Sequence, residues 1–278
     1  MKIYRTTTAI FIENEGIVYD SPYYDWDTLV NRDELYEFLQ VTIQNKYPVG
    51  VSDILSQHTI LPPIGTQEVW AAGVTYIRSK VARMEESKDS GGGTFYDKVY
   101  EADRPEIFFK ATSYRVTGPN EKVRIRKDSV WNVPEPELTL FINSNGKIVG
   151  YTIGNDMSSR SIEGENPLYL PQAKVYDGCA GLGPCLYVPQ KPLSSDTAIQ
   201  MEIKRDKHPV FYGKITLDQM KRQHTELVDY LYRECSFPQG CYLMTGTGIV
   251  PPNEFTLHSG DEIQISISPI GILTTIVE

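Results

Sequence analysis

The chain has 278 residues, of which 40% are hydrophobic, and this is enough for one large domain with or without a small appendage. Its formal net charge of −9 disfavours a nucleic-acid partner, which would need a basic surface. No apolar run approaches the ~20 residues of a membrane helix, and the N-terminus lacks the apolar stretch of a secretion signal. We therefore expect a cytoplasmic protein with no membrane partner.

The first part of the chain, residues 1–65, is predicted to form a small N-terminal α/β domain. The stretch TTTAIFIENEGIVYD predicts two strands joined by a turn at its EG dipeptide. The leucines of DWDTLVNRDELYEFLQVTIQ have helical spacing and predict one helix. The prolines and glycine of LPPIG then predict a linker, so a second, catalytic domain is expected over residues 66–278.

Residues 75–100 differ in character from their surroundings. They begin as a charged helical stretch, IRSKVARMEESKD, and then break at the tripeptide GGG. Polar composition with a glycine hinge is typical of a mobile cover over a site, although a plain surface excursion has the same composition.

The remainder of the chain is rich in predicted strands. Seven segments alternate or run apolar between Gly and Pro punctuation: EIFFKA, ELTLFI, KIVGYTIG, PCLYVP, IQMEIKR, HPVFYG and EIQISIS. One helix, TLDQMKRQHTELVDYLYREC, interrupts them and is predicted to begin near Thr216. The fold class that follows is α+β with a predominance of β-structure.

Two of these strands form a predicted hairpin that gathers three carboxylates. The NG dipeptide of ELTLFINSNGKIVGYTIG predicts a two-residue turn, because both residues tolerate positive φ. This register sets Glu135 opposite Asp156 and Glu137 opposite Gly154. Side-chain alternation then puts the three carboxylates on one face, beside glycines that should leave open space, and an apolar set on the other.

Three carboxylates this close repel one another strongly unless a positive charge compensates them. A divalent cation does so, and an all-oxygen ligand set favours Mg²⁺, Mn²⁺ or Ca²⁺ over zinc. The alternative is a solvated acidic strand face with chance spacing. The hairpin geometry favours the metal.

The same residues belong to a longer pattern that resembles the fumarylacetoacetate hydrolase superfamily. Its marks are a PEPEL strand, an ND-x-S-x-R segment, a downstream lysine and a late GT, and this chain carries PEPEL, NDMSSR, Lys174 and the GT at Thr247. The resemblance covers roughly residues 66–278. EGENPLYLPQAKVYD and RPEIFFKAT look like the subgroup of dehydratases that act on 2-keto-3-deoxy pentonates, whereas Ser161 stands where hydrolase members usually carry aspartate.

The resemblance implies a fold and an assembly. The fold would be a roll of mixed β-sheets with a small N-terminal domain, and the protein would be a homodimer or a dimer-based tetramer. It also implies that Glu135, Glu137 and Asp156 are ligands of Mg²⁺.

Further site residues are implied by the same resemblance. Lys174 would lie beside the metal and contact the oxo-acid end of the substrate, and Glu106 would be an acid/base group near the reacting carbons. Thr247 would bind the substrate carboxylate. Arg78 and Ser79, in the segment predicted as a cover, are further candidates for substrate contact.

The reaction implied is loss of water from a 2-keto-3-deoxy sugar acid, a small 2-oxo acid, to give a 2,5-dioxo acid. C–C bond hydrolysis of an acylpyruvate and decarboxylation of oxaloacetate would use the same chelate. A hydrolase would conventionally need a His-Glu pair in the cover, and residues 75–100 contain no histidine. A metal-stabilised binding module without enzymatic activity is the remaining alternative.

Overall fold

The computed structural model describes residues 1–86 and 93–278, in which β-strands predominate. The strands are β1 (Lys2–Arg5), β2 (Ile10–Asn14), β3 (Ile17–Asp20), β4 (Gly50–Val51), β5 (Glu68–Gly73), β6 (Glu106–Thr112), β7 (Val116–Thr117), β8 (Lys122–Val123), β9 (Asn132–Ile142), β10 (Ile148–Ser159), β11 (Ala180–Tyr187), β12 (Ala198–Arg205), β13 (His208–Thr216), β14 (Cys241–Met244), β15 (Glu262–Ile267) and β16 (Gly271–Val277). The helices are α1 (Trp26–Val30), α2 (Leu35–Gln44), α3 (Ile77–Glu86), α4 (Gly93–Glu101), α5 (Arg160–Glu165), α6 (Leu170–Lys174) and α7 (His224–Tyr232). The predicted β-rich α+β class is confirmed.

The strands form two mixed sheets. The larger follows the order β4-β3-β2-β1-β11-β10-β9-β14-β5-β6, with β7 pairing with β11, and the smaller follows β13-β12-β15-β16-β8. Most neighbours are antiparallel, but β14 runs parallel to β5, β16 parallel to β8 and β7 parallel to β11. The first four strands continue the larger sheet through β1 and β11. The division at residues 1–65 and 66–278 stays a prediction.

Strands β9 and β10 lie in the middle of the molecule with both faces covered. Leu138 and Ile153 belong to an apolar core that also contains Ile199 and Ile265 of the smaller sheet. Phe141, on the opposite face of β9, belongs to a second core that includes residues of α1 and α2. All eleven residues of β9 are consequently buried, so a polar side chain here needs an internal partner.

The N-terminal predictions are confirmed in part. The hairpin of β2 and β3 turns at Glu15 and Gly16, as predicted. The single predicted helix is wrong, because it is divided into α1 and α2. Between them, Asn31 and Asp33 hold the turn that joins β9 and β10: Asn31 Oδ1 accepts a hydrogen bond from the Ser144 amide, and Asp33 pairs with Lys147 at 2.9 Å. The backbone at Asn31 is non-helical, with φ −82° and ψ 67°, and α1 ends there.

The late helix begins later than predicted. Thr216 ends β13, and Leu217–Gln219 forms a 3₁₀ turn. Helix α7 begins only at His224, where Gln223 and Glu226 form a capping box. Because this box satisfies the first amides of the helix, the start is set there and not at Thr216.

The predicted cover is partly outside the described residues. Its charged first half is helical, as expected, and corresponds to α3. The glycine break falls mostly on residues 87–92, which lie outside the described parts of the chain, and α4 follows from Gly93. In residues 1–86 and 93–278, no helix has both the length and the apolar character needed to cross a bilayer.

The turn between β9 and β10 differs from the prediction, although the register at the carboxylates does not. Asn143 N donates to Lys147 O at 2.9 Å and Gly146 N donates to Asn143 O at 3.0 Å, which defines a three-residue loop. A register shift between Ile148 and Gly150 offsets the extra residue. Glu135 therefore pairs with Asp156, and the predicted strand register is confirmed at the site.

The glycines beside the carboxylates do not leave open space, so that prediction was wrong. A Cβ on Gly154 would lie 2.3 Å from Thr139 Oγ1 and 3.1 Å from the Met244 side chain. A Cβ on Gly150 would meet Leu186 at 2.8 Å. These glycines allow neighbouring strands to pack closely around the hairpin.

We expect Gly154→Ala to destabilise the protein by about 1–3 kcal/mol, because the added methyl group overpacks a buried site beside a stiff threonine. Urea unfolding measures the change. Gly181→Ala in β11 is the control, since its Cβ would have only ordinary contacts of 3.4 Å or more, and it should cost under about 1 kcal/mol. Equal effects of the two substitutions would contradict this account of the packing.

Candidate active site

The three hairpin carboxylates meet inside the protein. Glu135 and Glu137 project from β9 and Asp156 from β10, and one oxygen from each lies within 4.8 Å of the others. Their exposed fractions are 5%, 1% and 1%. The alternative of a solvated acidic face is therefore wrong, because these carboxylates are withdrawn from water.

Lys174 reaches the cluster from the end of α6. Its ammonium lies 2.8 Å from Glu135 Oε2 and 3.2 Å from Asp156 Oδ2. It also donates to Ser158 Oγ at 2.6 Å and lies 3.3 Å from Glu163 Oε1. The side chain is fully buried, so this lysine is part of the site and not a surface cation.

A second buried lysine, Lys110 on β6, was missed by the sequence reasoning. Its Nζ lies 2.5 Å from Asp156 Oδ1, and it donates to the carbonyls of Met157 and Lys174. Lys110 is completely buried. The available signal was a lysine inside the apolar strand EIFFKAT, where an unpaired charge would be too costly to bury.

Two arginines and two further glutamates, also missed, extend the cluster toward α3 and α5. Arg160 Nη2 lies 2.8 Å from Glu135 Oε1, and its Nη1 pairs with Glu86 and lies 3.4 Å from Glu163 Oε2. Arg83 of α3 lies 2.9 Å from the same Glu163 oxygen. Arg160 ends the ND-x-S-x-R segment and Glu163 lies three residues beyond it, but Glu86 is 74 residues away from Arg160 in the chain.

Glu106 borders this network. It lies at the start of β6 opposite Gly73 of β5, where a Cβ on Gly73 would come within 1.9 Å of its Oε2. That oxygen is buried and receives no hydrogen bond from the described residues. Burial raises the pKa of Glu106, while Arg83 and Lys174 offset part of that rise.

The cluster as a whole carries an excess of negative charge. Among the described residues, six carboxylates and four cations belong to it, which leaves a formal charge of two negative units. The carboxylates are Glu86, Glu106, Glu135, Glu137, Asp156 and Glu163, and the cations are Arg83, Lys110, Arg160 and Lys174. Burying two uncompensated charges is costly, and the group responds by binding a counter-ion or by taking up protons.

The excess is concentrated at Glu137. Among the described residues its carboxylate accepts a hydrogen bond from the Gly246 amide and makes no ion pair. Burial raises the pKa of Glu137 well above its usual range, and the charges of Asp156 and Glu135 raise it further. Glu135 shows the opposite balance, because Lys174 and Arg160 outweigh burial and hold its pKa far below the ordinary value.

These observations fit a divalent cation at Glu135, Glu137 and Asp156. The donors are all carboxylate oxygens, which suit Mg²⁺, Mn²⁺ or Ca²⁺. A doubly charged ion would also compensate the two excess negative charges of the cluster.

The predicted substrate contacts are placed less clearly. Thr247 is buried and directly follows Gly246, whose amide donates a hydrogen bond to Glu137. The Thr247 hydroxyl accepts a hydrogen bond from the Ile249 amide at 3.1 Å. Ser79 uses its hydroxyl to bond the Tyr76 carbonyl at the start of α3. Arg78 is half-buried on the same helix. Contact of these three residues with a substrate stays a prediction.

The fold and this site define a class of protein. Residues 69–278 match the family model described as fumarylacetoacetate (FAA) hydrolase C-terminal. The chain belongs to the fumarylacetoacetate hydrolase family, and its β-rich architecture is the fold of that family.

Three individual relatives with names of their own are similar to this chain. A Haloferax volcanii protein named "Probable 2-keto-3-deoxyxylonate dehydratase" is 46% identical over 82% of this chain and 78% of its own length. The 2-dehydro-3-deoxy-D-arabinonate dehydratase of Saccharolobus solfataricus is 44% identical over 79% of this chain and 74% of its own. A solved 2-keto-3-deoxy-D-arabinonate dehydratase complexed with magnesium and 2,5-dioxopentanoate superposes with a TM-score of 0.84, at 34% identity, over 100% of this chain and 99% of its own.

We expect Glu137→Gln to stabilise the metal-free protein at pH 8 by about 1 kcal/mol or more, because the neutral amide avoids the cost of a buried carboxylate without a compensating charge. A carboxyl whose pKa is raised on folding favours the folded state below the ordinary value of 4.5, and this contribution is lost as the pH rises. The advantage of the variant should therefore shrink toward pH 4.5. Urea unfolding in chelator, at both pH values, measures it.

The exposed Glu101 provides the control. Glu101→Gln should change the free energy of unfolding by no more than about 0.5 kcal/mol at either pH. A wild-type protein that is more stable than Glu137→Gln at pH 8 without metal would show that Glu137 is not an uncompensated buried charge.

Proposed function

We propose that this protein is a Mg²⁺-dependent dehydratase that removes water from a 2-keto-3-deoxy pentonate and forms a 2,5-dioxo acid. The observation that carries the proposal is the buried carboxylate triad with two excess negative charges, which lies against Lys174. Relatives at 44% and 46% identity are named as dehydratases of such acids, and a structural neighbour holds magnesium together with 2,5-dioxopentanoate.

Glu135, Glu137 and Asp156 would hold the cation. When bound, the cation supplies Lewis-acid stabilisation of the negative charge that develops on the oxo-acid oxygens of the substrate. Because burial raises the pKa of Glu137 and a ligand carboxylate must be deprotonated, binding of the cation would be linked to release of a proton.

Lys174 would stabilise the same developing charge from the protein side. Its ammonium is already held at the metal ligands by contacts of 2.8 and 3.2 Å, so little reorganisation is needed during reaction. The pKa of Lys174 is raised, because the carboxylates of Asp156 and Glu135 outweigh the effect of burial. It therefore stays a cation, which suits a hydrogen-bond donor and not an amine nucleophile.

Glu106 would move the proton. As a carboxylate it takes a proton from C3, and as an acid it returns that proton to the C4 hydroxyl, which leaves as water. The C3–H and C4–O bonds break and a C3–C4 double bond forms, and tautomerisation then gives the aldehyde at C5. Glu106 suits both roles, because its pKa is raised and one of its buried oxygens receives no hydrogen bond from the described residues.

The distribution of histidines favours dehydration over C–C bond hydrolysis. The four histidines are His58, His208, His224 and His258. None of them contacts a member of the carboxylate cluster among the interactions of the described residues. Within the described parts of the chain, no imidazole contacts the cluster as the water-activating base of a hydrolase would.

Three further assignments belong to this proposal. Thr247 would bind the substrate carboxylate, since it follows the Gly246 amide at the cluster, and Arg78 and Ser79 would contact the substrate from α3.

A homodimer or dimer-based tetramer is proposed from the family resemblance, and light scattering of the purified protein tests it. A cytoplasmic location is likewise proposed, and cell fractionation tests it.

The direct test is a panel of 2-keto-3-deoxy pentonates and hexonates incubated with the protein and Mg²⁺, with products measured by mass spectrometry. A product about 18 mass units below the substrate, formed only when metal is present, is the expected result for a pentonate because one water is lost. Two smaller fragments would indicate C–C bond hydrolysis, and metal-dependent melting without turnover would indicate a binding module. Either outcome contradicts the proposal.

Two substitutions test the assigned roles. Lys174→Met should lower kcat by about 10²–10³, the typical effect of removing one donor to a developing negative charge. Glu106→Gln should lower kcat by about 10²–10⁴, because a positioned acid/base group contributes that much. Steady-state kinetics at saturating Mg²⁺ gives both values.

Matched surface residues provide the controls. Lys147→Met and Glu85→Gln should keep kcat within about twofold, since both side chains lie outside the carboxylate cluster. A covalent adduct on Lys174 after borohydride treatment with substrate would replace the electrostatic role by a Schiff base.

A further inference from the structure

We infer that Glu163 is a positioning residue that keeps Lys174 available to the substrate once the metal ligands are occupied, and that α3 holds Glu163 in place through Arg83. The inference rests on the proposed function and adds to it residues outside the ligand set and outside the assigned catalytic groups. Its basis is the arrangement of three cations, Arg83, Arg160 and Lys174, around the buried carboxylate of Glu163.

In the metal-free protein, Lys174 pairs with carboxylates that a metal ion would also bind. Two of its three carboxylate partners, Glu135 and Asp156, are the groups that a cation would also bind. A metal that enters must therefore compete with the ammonium for the same oxygens. If the lysine lost both partners with no replacement, it would be a buried cation with no carboxylate to compensate it.

Glu163 is the third partner and is not part of the ligand triad. Its Oε1 lies 3.3 Å from Lys174 Nζ, so it remains a carboxylate partner when Glu135 and Asp156 turn to the metal. With this anion in place, the lysine can give up the metal ligands and keep its charge beside them. Its position then depends on how firmly Glu163 itself is held.

Glu163 is held on its other oxygen by two arginines. Oε2 lies 2.9 Å from Arg83 Nη1 and 3.4 Å from Arg160 Nη1, and the carboxylate side chain is only 1% exposed. Arg160 is fixed in turn by Glu86, the last residue of α3, and by Glu135. One helix thus supplies two of the charged groups that set the orientation of Glu163.

The geometry assigns a different role to each of the two oxygens of the Glu163 carboxylate. Oε2, the oxygen toward α3, makes the shortest of the three ion-pair contacts, 2.9 Å to Arg83, whereas Oε1 lies 3.3 Å from Lys174. A longer contact suits a partner that must hold the lysine near the substrate without withdrawing it. Glu163 therefore acts through Lys174 and does not touch the reacting atoms.

The test is a double-mutant cycle read by calorimetric titration with Mg²⁺, without substrate. Glu163→Gln keeps the size of the side chain but removes its charge, so Lys174 should hold the ligands more tightly and the Kd for Mg²⁺ should rise about 10- to 100-fold. In a Lys174→Met background the competition is gone, and adding Glu163→Gln should change the Kd by less than about threefold. In the single variant kcat should also fall by about 10- to 100-fold, with a smaller change in KM.

A merely structural or long-range electrostatic role predicts another pattern. Glu163→Gln would then weaken Mg²⁺ binding equally with and without Lys174, and this additivity would overturn the inference. The buried Asp261, which pairs with Arg205 at 2.8 Å in another part of the molecule, is the control. Asp261→Asn should lower the melting temperature and leave the Kd for Mg²⁺ within about twofold.

The measurements distinguish failure of the proposed function from failure of the role inferred for Glu163. If wild-type protein neither binds Mg²⁺ nor dehydrates a 2-keto-3-deoxy acid, the proposed function fails, whereas normal wild-type activity with an additive cycle removes only the role of Glu163. If Glu163→Gln does not fold, Arg83→Gln replaces it in the cycle. The same dependence on Lys174 is expected there, and its absence overturns the inference.

Discussion

The structure depends on an excess of negative charge in a buried cluster of carboxylates and cations. Six carboxylates and four cations of residues 1–86 and 93–278 share a volume from which water is largely excluded, and the two excess negative charges lie around Glu137 and its neighbours. In such surroundings an uncompensated charge is far more costly than at a surface. Burial in this volume raises the pKa of Glu137, Glu106 and Glu86, and a divalent cation would compensate the excess charge without protons.

The fold buries this excess negative charge between two apolar cores, at the place where a substrate would react. Because β9 and β10 are covered by an apolar core on each side, their polar side chains cannot be solvated and must satisfy one another. The close approach of neighbouring strands at Gly154 and Gly150 fixes the hairpin, so the carboxylates are held in place before any ligand arrives. A preorganised site of this kind stabilises developing charge with little rearrangement.

The parts of the site that could be predicted are those set by local chain geometry. Strand alternation and one hairpin turn were enough to bring Glu135, Glu137 and Asp156 together, although the loop has three residues and a register shift near Gly150 restores the pairing. The division of the first helix was not predictable, because it depends on contacts of Asn31 with a turn more than a hundred residues away.

The cations were predictable only in part, for the same reason. Lys174 was found through the family resemblance, whereas Lys110 and Arg83 acquire their roles from contacts between β6, α3, α5 and the hairpin that no local pattern encodes. A charged residue inside an apolar strand, as at Lys110, is the one sequence feature that signals such a partner. Contacts with the substrate depend on side chains whose partner is a separate molecule, so neither sequence nor fold fixes them.

The most direct measurement of the central claim is calorimetric titration of chelator-treated protein with Mg²⁺ near pH 7.5, repeated in two buffers that differ in ionisation enthalpy. If two excess buried charges are balanced by protons in the metal-free state and by a cation in the loaded state, about one Mg²⁺ should bind per chain with release of protons to the buffer. Absence of saturable binding of Mg²⁺, Mn²⁺ or Ca²⁺, or binding that releases no protons, would contradict the account.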